Sequence, residues 1–182
     1  MYSLVRDLDF SNNSTFRPKR VGIVPVVDLF GVKYYCFGVD RIHQEITDFG
    51  GGVRYRRDYS ALAAATREFH EESLGVFGKL LTYQLQNDIA IYDDDNLIVI
   101  HCNDEIDIPQ KVSLFNENCK QEVRPEVSAI IWFSVEEVRH LVYKDTPLKP
   151  IMYTYGAEHY DTKKFVMYDK VKWLLRRSKY FE

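Results

Sequence analysis

Cysteine is scarce: Cys36, Cys102 and Cys119 are the only three in 182 residues, far apart and without CxxC spacing. That argues against a disulfide framework and against a structural zinc site, and it points to a reducing compartment. A basic excess is missing as well. With 24 Lys and Arg against 27 Asp and Glu, the formal charge is −3, so the whole surface does not advertise nucleic-acid binding, although a local basic groove remains compatible. No apolar run reaches membrane-spanning length. The opening stretch MYSLVRDLDFSNNSTF carries no apolar signal segment, so the expected location is cytoplasmic, with the nucleus as a second choice. Low-complexity tracts and internal repeats are also absent.

What is present is a folding composition. A hydrophobic share of 46% with 14% aromatics suits one ordinary domain with a substantial core. The polar SNNST at 11–15 marks residues 1–15 as an N-terminal arm, leaving 16–182 as the domain.

Residue patterning gives the elements. VGIVPVVDLF (21–30) is rich in β-branched residues and reads as a strand, with Pro25 implying an edge or a bulge. KYYCFGVD (33–40) returns after Gly31 as its hairpin partner. EITDFGGGVR (45–54) reads as a short strand running into a glycine loop. DYSALAAATREFHEESLG (58–75) is the clearest helix: Asp58 or Ser60 caps it, Gly75 ends it, and Leu62, Ala65 and Phe69 form its apolar stripe. DIAIYDD and NLIVIHCND (88–94, 96–104) are two strands joined by an acidic turn. VSAIIWF (127–133) is a strand leading into a helix with Ser134 and Glu137 as capping box. A last helix is expected over 161–180. The order implies a mixed α/β sandwich.

The chemistry concentrates in the central helix. At ~100° per residue, Glu68 and Glu72 fall about 40° apart, and Glu71 lies about 60° to the other side of Glu68. Three neighbouring carboxylates repel one another by ~0.2–0.5 kcal/mol per exposed pair, and burial raises the cost. A divalent cation reverses that sign, and a hard ion such as Mg²⁺ takes oxygen ligands and substrate phosphates together. An exposed acidic face with an Arg67–Glu71 ion pair is the plain alternative. Phe69, anchored in the core inside the acidic run, and the glycines at 50–52 favour a metal-plus-phosphate constellation.

These residues resemble a known family. FGGGVRYRRDYSALAAATREFHEESLGV is similar to a Nudix box, whose form is G, five residues, E, seven residues, R-E-aliphatic-x-E-E-x-G-aliphatic. REFHEE fits the core with Phe69 in the apolar slot. The chain departs from the form in three places: Asp58 stands for the box glutamate, eight residues separate it from Arg67, and two residues separate Glu72 from Gly75.

The resemblance implies a Nudix-like α/β/α sandwich around a mixed sheet, and a metal-dependent pyrophosphohydrolase cleaving the diphosphate of a nucleoside diphosphate derivative. Arg67 would brace the glutamates. Glu68, Glu71 and Glu72 would hold Mg²⁺ or Mn²⁺, with the Gly51 carbonyl completing the set. Glu71 or Glu72 would serve as base, and Gly50, Gly51 and Gly52 would approach the substrate. One more glutamate comes from the loop before the late strand; Glu126 is preferred and Glu122 is the alternative. The expected partner is a nucleotide, with capped RNA as a second class; no membrane is expected, and a homodimer is compatible.

Two further segments stand out. The aromatic stretch 146–161 suits a substrate-covering loop. In the last helix region, Lys163, Lys164, Lys170, Lys172, Arg176, Arg177 and Lys179 offer a basic face for RNA. The rival class is a catalytically inactive Nudix-fold module that binds nucleotide or RNA; intact glutamates favour the enzyme, and the shifted spacing favours the module.

Overall fold

The computed structural model describes residues 3–5, 16–146, 148, 156–158 and 160–182. The arm expected at 1–15 lies outside the described residues except for Ser3–Val5, and most of the loop expected at 146–161 lies outside them too. Among the described residues, no helix is long and apolar enough to cross a membrane.

The fold is mixed α/β. Eight strands form one sheet: β1 (Ser3–Val5), β2 (Arg20–Leu29), β3 (Val32–Asp40), β4 (Ile46–Thr47), β5 (Phe49–Gly52), β6 (Ile89–Tyr92), β7 (Asn96–Cys102) and β8 (Val127–Ser134). The main order is β1-β6-β7-β2-β3-β4, with β5 on β2 and β8 on β3. Among the described strands only the β2–β7 pair is parallel, and a single parallel bridge joins Ile46 to Met167.

Among the described residues four α-helices cover the sheet: α1 (Ala61–Glu72), α2 (Ile108–Gln121), α3 (Val135–Tyr143) and α4 (Asp169–Ser178). Strand alternation sends Val21, Ile23 and Val27 into one core with Ala65, Phe69 and Phe115, and Val24 and Val26 into another with Val138, Leu141, Val171 and Leu174. So α1 and α2 lie on one face and α3 and α4 on the other, which makes three layers.

A fork in the sheet positions the site. β2 and β3 pair only near their hairpin, Val26–Leu29 against Val32–Tyr35. They then diverge, and residues 46–52 fill the wedge, Ile46–Thr47 on β3 and Phe49–Gly52 on β2. This corrects two expectations. Pro25 lies in a central strand, at the hand-over where β2 leaves β5 and meets β3. Val53 N–H donates to Lys19 C=O, and Asn103 N–H to Val26 C=O. By strand alternation the missing Pro25 N–H therefore faces that unpaired gap, so proline costs no ladder bond. The three glycines, in turn, are strand and not loop.

Two helices also differ from expectation. α2 was not anticipated, although Asp107 caps it through Gln110 N–H and Ile108 and Phe115 bury against the core. The last helix starts at Asp169 because the residues before it are held extended on β4: Ile46 N–H donates to Val166 and Tyr168 N–H to Ile46.

Candidate active site

α1 is built locally as its sequence directs. Ser60 Oγ accepts from Ala63 N–H at 3.1 Å, and Gly75 takes positive φ (70°) just past the helix end. Phe69 is buried and sits edge-on to Phe49, with ring centroids 5.6 Å apart, and stacked on Phe77 at 5.1 Å. Burying such a ring contributes roughly 1.5–3 kcal/mol. The helix is thereby fixed against β5, and its acidic face is fixed with it.

Each glutamate meets a different environment. Glu68 is only 7% exposed. It accepts from Arg67 Nη1 at 2.6 Å. A Cβ added to Gly51 would stand 2.6 Å from Glu68 Oε2, so glycine there is what lets the carboxylate touch the strand. Glu72 Oε2 accepts from Gly50 N–H at 2.7 Å. Glu71 is exposed and reaches Arg67 only at 3.5 Å.

Arg67 is the hub. Its fork grips Asp58 with two bonds, Nε to Oδ1 at 2.9 Å and Nη2 to Oδ2 at 3.0 Å, and Nη2 also donates to Gly52 C=O at 3.3 Å. Hydrogen bonds from Arg67 hold the Asp58 carboxyl below its ordinary value, and Asp58 in turn raises Arg67. The aspartate at the variant box position therefore contacts the arginine directly.

A second network lies behind Glu72. Fully buried Asp48 is clamped by both Nη atoms of Arg20, whose Nη1 also donates to Asn96 Oδ1 at 3.4 Å. Burial opposes the Arg20 charge and Asp48 outweighs it, so the guanidinium stays firmly protonated. Glu72 fares differently. Burial first, then the Asp48 charge, push its carboxyl up to about 9, against the lowering effect of Gly50 N–H and Arg20; Glu68 adds to the rise. Sequence reasoning missed Arg20, Asp48 and Asn96. The available signal was Asp48, a lone acid amid Ile46, Phe49 and glycines.

Backbone direction matters too. Since Val53 N–H faces β2 and Gly50 N–H faces Glu72, alternation turns the Gly51 carbonyl into the β2 ladder and the Gly50 carbonyl to the same edge as Glu72. The carbonyl available to the carboxylates is that of Gly50, not the expected Gly51. Beside them opens a cleft of about 300 Å³ lined by Glu71, Glu72, Leu74, Glu122, Arg124, Pro125 and Glu126. Both loop candidates, Glu122 and Glu126, thus face the helix glutamates.

Mg²⁺ or Mn²⁺ fits the chemistry of these donors, which are carboxylates and a backbone carbonyl, all hard oxygens. The strongest sign is Glu72, a half-buried carboxyl that the protein holds in its protonated form and that an added positive charge would ionise. Among the described residues, though, no three His, Cys, Asp or Glu side chains converge as one ready metal group. Glu68 and Glu72 each commit one oxygen to Arg67 or Gly50 and keep the other outside those bonds.

No protein-family model matches the chain, and no curated protein sequence does.

Proposed function

We propose that this chain is a Nudix-like, metal-dependent pyrophosphohydrolase that cleaves the diphosphate linkage of a nucleoside diphosphate derivative, either a small nucleotide or a capped RNA 5′ end. The observation that carries this reading is Glu72: a half-buried carboxyl raised to about 9, fixed by Gly50 N–H, at the edge of a cleft that three further glutamates line. Such a group is costly unless a cation arrives. The three-layer arrangement around a forked mixed sheet supports the Nudix-like sandwich, and three free thiols suit a cytoplasmic or nuclear setting.

In this reading Glu68, Glu72 and the Gly50 carbonyl would hold the ion, with Glu126 or Glu122 available from the other side of the cleft. When bound, Mg²⁺ or Mn²⁺ supplies phosphate charge neutralisation and a water of lowered pKa. The chain's own residues do the rest. Arg67, locked on Asp58, keeps Glu68 oriented toward β5. Glu71, exposed on the cleft, takes the proton of a water there. Gly50 to Gly52, without side chains, let a phosphate approach the strand edge.

The test is hydrolysis of a panel of nucleotides and capped RNA with Mg²⁺ or Mn²⁺, comparing the native chain with Glu72→Gln. A fall of about 10²-fold or more in the variant is expected. A second reading, an inactive binding module, is favoured by the shifted box spacing and the unconverged carboxylates. Ligand binding without turnover in both proteins would establish it instead.

A further inference from the structure

The loop between β5 and α1 reads Val53-Arg54-Tyr55-Arg56-Arg57-Asp58-Tyr59, and the proposed hydrolysis uses only its Asp58. Arg54, Arg56 and Arg57 are exposed, and none of them forms an ion pair among the described residues. Tyr59 is 89% exposed and Tyr55 37%. From the preceding segment, the Arg17 guanidinium lies 4.3 Å from the Tyr55 ring centroid, and Tyr55 OH donates to Pro18 C=O at 2.7 Å. The loop is held in place: Asp58 accepts from Arg54 N–H at 2.7 Å, and Arg57 and Asp58 N–H both donate to Arg54 C=O at 2.7 Å.

Nearby acids do not cancel this patch. Asp58 is committed to Arg67, and Asp95 pairs with Lys19 at 3.1 Å. By contrast, part of the basic face of α4 is already paired. Lys172 and Arg176 both meet Asp145, and Lys179 meets Glu182.

We propose that the loop 54–59, with Arg17 beside it, is a binding surface for single-stranded nucleic acid. Arginines interleaved with the open Tyr59 ring and an Arg17-capped Tyr55 suit a chain in which phosphates alternate with stackable bases, whereas an acidic peptide has no use for the rings. The site is also placed to present a strand to chemistry: Arg67 touches Asp58 in this loop and Glu68 in the acidic cluster, so one side chain spans the two. This surface stands independently of the hydrolytic reading, because strand binding needs no metal.

Fluorescence anisotropy of the full chain with labelled single-stranded RNA of about 12 nucleotides, in EDTA, tests it. Arg56→Ala with Arg57→Ala should weaken binding about tenfold or more and reduce the slope of log K against log salt by about 1.4, two contacts at ~0.7 each. Tyr59→Ala should weaken binding about 5-fold or more with the slope unchanged. Lys170→Ala with Arg177→Ala on α4 should leave binding within about twofold. These side chains are exposed, and unchanged thermal melting confirms that the variants fold. The proposal is overturned if the native chain does not bind RNA, if Tyr59→Ala has no effect, if the α4 variant loses as much as the loop variant, or if polyglutamate competes as well as RNA. Absence of hydrolysis by the native chain, with RNA binding intact, would instead overturn the pyrophosphohydrolase reading alone.

Discussion

Two arginines flank the glutamates of α1, and each grips an aspartate. Arg67 holds Asp58 and still has a guanidinium nitrogen for Glu68 at 2.6 Å. Arg20 is clamped on fully buried Asp48 and on Asn96, and it offsets only part of what raises Glu72. The same pair type therefore completes one carboxylate's environment and leaves the other's incomplete. The contrast separates scaffold from proposed site: where the protein supplies the countercharge the contact is structural, and where it withholds the countercharge the carboxyl keeps its proton, which in the proposed reading a ligand cation displaces.

Breaking the buried clamp should have the largest effect. Asp48→Asn leaves Arg20 buried without its counter-ion and should cost about 3–5 kcal/mol in denaturant unfolding; a loss below about 1 kcal/mol would make the clamp no different from a surface pair. Next comes the close approach on the Glu68 side. Gly51→Ala drives a methyl into the Glu68 carboxylate and should cost about 1–3 kcal/mol, measured the same way. Asp58→Asn removes the charge that holds Arg67. It should cost about 1.5 kcal/mol at neutral pH, with little change at low pH, because the lowered Asp58 stabilises the fold only above its unfolded value near 3.8 and that contribution fades as pH falls through the folded one.

The smallest effect per step is the pH slope of the metal-free protein. Glu72 is raised from 4.5 to about 9, so between those values the folded state keeps a proton that the unfolded state has released. Its contribution is full below 4.5 and is lost as pH rises through the folded value, at up to about 1.4 kcal/mol per pH unit. Glu72→Gln should flatten this slope; an unchanged slope would show that Glu72 is not the group responsible.

The parts of this site that were legible in the sequence are those set by local rules. Ser60 as cap, Gly75 as stop and Phe69 as anchor follow from helix periodicity, and the Ser134–Glu137 box starts α3 as its pattern requires. What failed depended on distant pairing. Three consecutive glycines read as a loop, yet β2 recruits them into a strand, and that choice moves the available carbonyl from Gly51 to Gly50. Residues 165–168 continue a helical pattern but are captured by β4. α2 escaped notice because only Ile108 and Phe115 on it are fully buried in an otherwise polar stretch. Helical angles placed Glu68, Glu71 and Glu72 together. They could not say that Glu71 would face solvent while the other two turned to β5, since that depends on how Phe69 docks on Phe49.

The most direct test is calorimetric titration of Mn²⁺ into the metal-free protein at pH 7, run in two buffers of different ionisation enthalpy so that proton release is counted along with binding. A protonated Glu72 that ionises on metal binding predicts about one proton released per ion by the native chain and none by Glu72→Gln. Binding with no proton released, or no binding at all, would contradict the claim that Glu72 waits for a cation.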